Sequence, residues 1–112
     1  MTEERDRIYV RHIRDACEKI TAYTQGMDLD EFLSRSMAQD AVIRQLEIVG
    51  EAAKQVSRQF RDENPNVRWA DMAGMRDRLI HGYFGVDLET VWTTVERDIP
   101  TLFDALQSIL AE

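Results

Sequence analysis

The sequence predicts an all-α protein, folded as an antiparallel bundle of four to five helices. Apolar residues recur every three or four positions through most of the chain, which is the spacing that gives a helix one apolar face. No stretch shows the alternation of apolar and polar residues, followed by a hairpin turn, that is typical of strands. No internal repeat or change of composition divides the 112 residues, so we expect a single domain over residues 1–112.

The first half of the chain predicts two main helices. An apolar stripe over residues 2–23 predicts the first, and Gln25-Gly26-Met27-Asp28 predicts a turn that ends in an N-cap for a short helix over 29–33. A long helix is expected from about Ser36 to Asp62, ended by Asn64-Pro65-Asn66, because proline lacks the backbone donor. Small residues in this helix would allow another helix to approach closely, either in the chain's own core or at a symmetric dimer seam: Gly50, Ala52 and Ala53.

The second half predicts shorter helices. A compact segment around Trp69 and Met72 leads to Gly74, and a helix is expected from Met75 to about His81, where Gly82 suits a C-terminal cap. Asp87 is a good N-cap for a helix over 88–96. Asp98 is expected to cap the last helix, with Pro100 in its tolerant first turn.

Composition limits the classes of function. A net charge of −7 argues against an extended basic surface for nucleic acid, so any contact with phosphates must be local. The single cysteine, Cys17, excludes an intrachain disulfide and a cysteine-based zinc site, and it favours a reducing compartment. The charged N-terminus lacks the apolar core of a signal peptide, and no apolar run reaches the roughly 18 residues that span a bilayer. We therefore expect a cytoplasmic protein without a membrane segment.

The residue types that support chemistry concentrate in residues 74–85. This segment combines two guanidiniums, a carboxylate, an imidazole and a phenol between glycines. Asp77 and His81 are four residues apart, about 40° around a helix, so the carboxylate can orient the imidazole. Arg76 lies about 140° from His81, so their convergence requires the reach of arginine, unwinding at Gly82 or a symmetry mate across a dimer seam.

An arginine and a histidine are sufficient for cleavage of RNA by transesterification without a metal. The imidazole of His81 would move the proton of a 2′-hydroxyl or of the leaving oxygen, while the guanidinium of Arg76 would stabilise charge on the phosphate. The alternative is a solvated charged face ending in a histidine that the helix dipole favours. Spacing alone favours this alternative.

Several separated blocks of sequence resemble one family. The string R-D-R-L-I-H-G-Y, residues 76–83, matches the R-x-x-x-x-H-x-Y signature of HepT-like proteins, which belong to the HEPN superfamily of small helical dimers. The resemblance extends over residues 40–53, 69–86, 91–92 and 98–102 in the same order. Blocks matched in order are far more specific than the short motif, and they favour catalysis over the solvated face.

The resemblance implies a homodimeric toxin of a HepT/MntA toxin–antitoxin pair, with a minimal nucleotidyltransferase (MNT) as antitoxin. Arg76 and His81 match the family's ribonuclease residues near the dimer cleft, and Tyr83 matches the tyrosine to which the antitoxin transfers AMP. Many members have asparagine after the arginine, where this chain has Asp77, a negative charge beside the phosphate site. No cofactor and no metal are implied.

A second hypothesis is a non-catalytic helical dimer that binds a nucleotide or docks the nucleotidyltransferase, which the −7 charge and Asp77 favour. Other polar residues suggest structural roles. His12 lies at the edge of an apolar stripe and suggests a core-edge position, and Trp69 and Trp92 suggest core or interface anchors. Glu47 and Glu51 are expected on a solvated face, although Glu51 could instead lie near the cleft and pair with an arginine.

Overall fold

The computed structural model describes the backbone of residues 2–81 and 86–111 and the side chains of residues 3–75 and 86–111. No strand occurs in these residues, which confirms the all-α prediction. The described helices are α1 (Thr2–Tyr23), α2 (Leu29–Ser34), α3 (Ser36–Gln55), α4 (Arg58–Glu63), α5 (Trp69–His81), α6 (Leu88–Thr93) and α7 (Ile99–Leu110), with a π-helical turn, Thr94–Asp98, between the last two. None of these helices is both long and apolar enough to cross a membrane.

The helix α1 and the turn after it match the sequence prediction. Gly26 has a φ of +77°, a left-handed conformation that glycine adopts without steric cost. The carboxylate of Asp28 accepts a hydrogen bond from the Glu31 N–H at 2.8 Å, so Asp28 is the N-cap of α2. Local chemistry is therefore sufficient to set this corner of the bundle.

The predicted long helix over residues 36–62 is wrong in one respect, because it breaks at Val56 and Ser57. The carboxylate of Asp6, buried on α1, accepts hydrogen bonds at 2.7 Å from both the N–H and the hydroxyl of Ser57. Ser57 in turn caps α4 through the Phe60 N–H. The guanidinium of Arg61 turns back and donates to the carbonyls of Ala53, Lys54 and Val56, closing the end of α3.

The helix α5 begins at Trp69, six residues before the predicted start at Met75. The Trp69 indole N–H donates to the Asn64 carbonyl at 3.0 Å, and its ring contacts that of Phe60 edge-on at 6.2 Å. Gly74 therefore lies inside the helix, where a Cβ would meet no atom within 4 Å. The prediction that the helix starts after Gly74 is wrong, because a helix interior accepts a glycine at a cost of about 1 kcal/mol.

The predicted cap at Asp98 is also wrong, because α6 continues into α7 through the π-helical turn. The side chain of Asp98 makes no capping hydrogen bond. The Ile99 N–H donates to the Thr94 carbonyl, five residues back. Pro100 has no N–H to give to the carbonyl four residues before it, and the wider turn accommodates this loss without ending the helix.

The core is formed by the facing apolar stripes of the four longest helices. α3 packs against α1 and α5, and α1 also packs against α7. Fully buried side chains fill the centre: Val10, Ile13, Cys17, Ile20, Phe32, Val42, Leu46, Val49 and Leu106. Gly50, Ala52 and Ala53 are buried within this single chain, so the small residues of α3 serve internal packing.

Candidate active site

Residues 76–81 of the motif lie on α5, and the contacts of this helix with its neighbours give its direction. Met72 and Met75 share a cleft with Leu46 and Val49 of α3, whereas Trp69 contacts Phe60, beyond the C-terminal end of α3. α5 therefore starts beside the end of α3 and runs back along it. Its C-terminal half, which carries the motif, is directed toward the N-terminal half of α3.

Three of the four predicted site residues lie on the backbone of α5. The helix continues without a break through Arg76, Asp77 and His81, and His81 is its last residue. Asp77 and His81 are thus one helical turn apart on the same element, while Arg76 lies about 140° around the axis from His81. Tyr83 and the side chains of the other three lie outside the described residues.

An open cleft of about 270 Å³ lies between α1 and α3. Its walls carry a phenol, an imidazole, a guanidinium and two carboxylates, from Tyr9, His12, Arg44, Glu47 and Glu51. The prediction that His12 lies at the core edge is wrong, because His12 is exposed, with its ring edge-on to that of Tyr9 at a centroid distance of 6.0 Å. The predicted solvated face for the two glutamates is confirmed in part: Glu51 is exposed and Glu47 half-buried.

The sequence reasoning missed this cleft as a site. A signal was present, since Arg44, Ile48, Glu51 and Gln55 recur at helical spacing on one side of α3, and Tyr9 and His12 are separated by one turn of α1. Each set resembles an ordinary solvated face on its own. Only the packing of α1 on α3 brings the two sets together.

A second cleft, of about 300 Å³, lies between α5 and α7. Its floor is apolar, with Val49, Met75 and Leu102, and its rim carries Arg68 and Asp71, whose side chains approach to 3.8 Å. An ion pair this exposed contributes little to stability. The cleft borders the first half of α5.

Cys17, the single cysteine of the sequence, has no accessible thiolate. Its side chain is fully buried in the core, and this burial, reinforced by the Glu18 carboxylate, raises the pKa of the Cys17 thiol to about 12. Because the thiolate is the reactive form, Cys17 is inert near neutral pH. The two Trp side chains are buried, which confirms them as core residues.

A family model matches almost the whole chain. The model, described as "Ribonuclease HepT-like", covers residues 13–109, which include all of α3 and all of α5. The chain belongs to the HepT-like ribonuclease family. The resemblance seen in the motif is thereby confirmed across the fold.

Curated relatives agree with this assignment. A protein of Thermococcus cleftensis named "Probable ribonuclease HepT" is 46% identical over 94 residues, which cover 84% of this chain and 86% of that protein. A "Putative RNase" of Caldanaerobacter subterraneus subsp. tengcongensis is 38% identical over 93% of each chain.

A third relative is about twice as long as the stretch that it shares with this chain. It is a protein of Methanocaldococcus jannaschii named as a gamma-glutamylcyclotransferase and "putative RNase", which is 42% identical over 95% of this chain. The chain spans only 48% of that relative, about half its length. No solved structure matches the chain at a significant level.

Proposed function

We propose that this HepT-like protein is a metal-independent endoribonuclease, the toxin of a HepT/MntA toxin–antitoxin pair, acting as a cytoplasmic homodimer. The observation that carries the proposal is the family match over residues 13–109 combined with an unbroken α5 that carries both Arg76 and His81. A dimer seam near α5 would add a second copy of each residue and would relieve their angular separation on a single helix.

In the proposed reaction, the 2′-oxygen of a ribose attacks the neighbouring phosphorus and the bond from phosphorus to the 5′-oxygen breaks. His81 either takes the proton of the 2′-hydroxyl as a general base or gives a proton to the leaving 5′-oxygen as a general acid. Arg76 stabilises the charge that develops on the phosphate. Asp77, one turn before His81, orients the imidazole. The products are a 2′,3′-cyclic phosphate and a free 5′-hydroxyl, so no co-reactant is needed.

The test of catalysis is cleavage of RNA in excess EDTA by the wild type and by His81→Ala. We expect the variant to lose about 10²- to 10⁴-fold in rate, the usual contribution of a general acid or base. Arg97→Ala, which removes an exposed guanidinium from the π-helical turn, is the matched control and should keep wild-type cleavage. Equal cleavage by wild type and His81→Ala would remove His81 from the mechanism.

Regulation is proposed to act at Tyr83, through transfer of AMP by the nucleotidyltransferase partner. An adenylylated phenol next to the proposed RNA-binding site adds bulk and negative charge where a phosphate must bind. Co-expression with the neighbouring nucleotidyltransferase gene should raise the intact mass by one or more AMP units, and Tyr83→Phe should abolish the gain. An unchanged mass with an active partner would contradict this regulation.

The second candidate function is a non-catalytic dimer that binds a nucleotide or docks the nucleotidyltransferase. The net charge of −7 favours it, because an acidic surface repels RNA and attracts a basic partner surface. It predicts a stable complex with the partner and no loss of RNA. The cleavage assay in EDTA separates the two functions.

A further inference from the structure

One exposed side of α1 carries a row of residues that differs from the rest of this helix. At 100° per residue, positions 5, 8, 12, 19 and 23 lie within an arc of about 60°, and position 9 lies about 40° beyond it. The side chain at position 9 is half-buried and the other five are exposed. We call this row the α1 stripe: Arg5, Ile8, Tyr9, His12, Lys19 and Tyr23. At 1.5 Å per residue, the stripe is about 27 Å long.

The α1 stripe contains two cations and no carboxylate, although α1 as a whole has five carboxylates. Within the part of the chain that the structure describes, neither Arg5 nor Lys19 forms an ion pair. Asp15, one turn from Lys19, is held by Arg14 at 3.1 Å. In a protein with a net charge of −7, the stripe is therefore a local positive surface of the kind that contact with phosphates requires.

The α1 stripe also exposes aromatic rings between its cations. Tyr23 is 40% exposed, and it is one of the four exposed large apolar side chains in the described residues. The rings of Tyr9 and His12 meet edge-on, so they do not stack on each other. Along the helix, the order is a cation at Arg5, this ring pair, a cation at Lys19 and then the ring of Tyr23.

We propose that the α1 stripe binds a single-stranded segment of the RNA substrate, with phosphates at Arg5 and Lys19 and bases stacked on the rings between and beside them. Proteins that hold single strands without reading their sequence combine cations that follow the backbone with rings on which successive bases stack. A length of about 27 Å suits several consecutive nucleotides. This inference rests on the proposed ribonuclease function, and it names a surface on α1 that holds the substrate apart from the motif on α5.

The wall of α3 opposite the stripe limits where phosphates can lie. Glu47 and Glu51 line the cleft between α1 and α3 together with Tyr9 and His12. Both carboxylates belong to α3, so we place the phosphates along α1, at the two cations of the stripe. The exposed guanidinium of Arg44, at the same cleft, can add one further phosphate contact.

The test measures binding of a fluorescent oligouridylate of about 12 nucleotides, a length within the range of known single-strand sites. Its riboses carry 2′-O-methyl groups, so no 2′-hydroxyl is present and the probe stays intact. Fluorescence anisotropy with the full-length protein, in EDTA and between about 50 and 200 mM salt, gives the slope of log affinity against log salt concentration. This slope is about −0.7 for each phosphate that the protein neutralises on a single strand.

The double variant Arg5→Gln/Lys19→Gln should weaken binding and make the slope shallower by about 1.4, because it removes two phosphate contacts at about 0.7 each. Arg11→Gln is the matched control, since Arg11 is exposed on the same helix, about 110° from the centre of the stripe, and the slope should not change.

The aromatic part of the stripe has its own variants. Tyr23→Ala should weaken binding by about fivefold or more at an unchanged slope, the loss expected for one stacked base. Tyr23→Phe keeps the ring and removes only the hydroxyl, so it should bind as the wild type does. Equal losses in the two variants would overturn stacking at Tyr23.

Cleavage assays separate this inference from the catalytic proposal. His81→Ala should bind the probe as the wild type does and fail to cleave RNA. Equal slopes for the double variant and Arg11→Gln would overturn the RNA-binding stripe, even if the wild type cleaves RNA. A double variant that loses the nucleotidyltransferase but binds RNA normally would also overturn it, in favour of a protein-docking surface. Binding through the stripe by a wild type that cleaves no RNA would support the stripe and contradict the catalytic proposal.

Discussion

The two ends of the bundle are fastened by different kinds of interaction. At one end, which we call the hydrogen-bonded end, side chains bind the backbone of distant elements: Asp6 binds Ser57, and Arg7 donates to the carbonyls of Ile109 and Leu110. At the other, the aromatic end, Phe32 of α2 packs on Trp92 of α6 with ring centroids 5.2 Å apart. The Gln39 amide of α3 also donates to the carbonyls of Phe32 and Leu33, but these residues are only six or seven positions away in sequence. The caps at the aromatic end, Asp28 and Asp87, act within their own elements.

This difference matters because the motif-bearing half of α5 is directed toward the aromatic end. Hydrogen bonds between distant elements are directional and fix the angles at which α1, α4 and α7 meet. Apolar packing is non-directional and tolerates small adjustments of neighbouring segments. Substitution of Arg76 or His81 should therefore leave the hydrogen bonds of Asp6 and Arg7 intact, and we expect it to change stability little.

The largest expected effect tests the aromatic contact. Phe32 is fully buried, so Phe32→Ala removes a large side chain from the core and should lower the free energy of unfolding by about 3–5 kcal/mol. That is a large part of the 5–15 kcal/mol typical of a domain. Urea denaturation monitored by circular dichroism measures the change.

The neighbouring residue supplies the control for this measurement. Leu33 is 38% exposed on the same short helix, so Leu33→Ala should change stability by less than about 1 kcal/mol. Similar losses in the two variants would mean that α2 is held by its general apolar surface, and the contrast between the two ends would lose its basis.

The next effect tests the hydrogen-bonded end. Asp6→Ala leaves the N–H and hydroxyl of Ser57 without their acceptor, and we expect the free energy of unfolding to fall by about 1.5–3 kcal/mol, the range for hydrogen bonds to a charged group. Asp6→Asn keeps one acceptor oxygen and should lose less. The same urea titration, with hydrogen exchange at Ser57 and Phe60, measures both variants.

Asp15→Ala is the matched control, since Asp15 lies on the same helix and its ion pair with Arg14 is exposed. Exposed pairs contribute about 0–1 kcal/mol. If Asp6→Ala lowered the free energy of unfolding no more than Asp15→Ala does, the break between α3 and α4 would have to arise from local sequence alone.

The sequence predicted those features that depend on neighbouring residues. The turn at Gly26 and the cap at Asp28 follow from a few residues, and α1 follows from its apolar stripe. The break at Ser57 was missed because its partner, Asp6, is 51 residues away in sequence. The same reason hides the cleft, since Tyr9 and Arg44 become neighbours only when α1 packs on α3.

The candidate site was also predicted only in part from the sequence. Arg76, Asp77 and His81 could be selected from the sequence because their spacing and the surrounding blocks match a family, and their helix is confirmed. The earlier start of α5 was missed because Gly74 suggested a boundary. A helix interior that is held by Trp69, Met72 and Met75 against its neighbours can absorb the cost of one glycine.

The smallest expected effect concerns Asp87, whose hydrogen bonds stay within the helix that follows the motif. Its carboxylate accepts from the Thr90 hydroxyl and from the N–H groups of Thr90 and Glu89, and these bonds lower the pKa of Asp87 below its usual value. A lowered pKa in the folded state means that the ionised carboxylate stabilises the fold above the unfolded pKa, near 4, and that this contribution disappears as the pH falls through the folded value. Asp87→Asn should therefore lower the urea midpoint slightly at pH 7, and the difference from wild type should shrink as the pH falls below about 4. A difference that does not change with pH would mean that the charge of Asp87 does not contribute to the stability of α6. Glu96→Gln is the control, since Glu96 is exposed on the same continuous helical stretch, and it should show no comparable loss at pH 7.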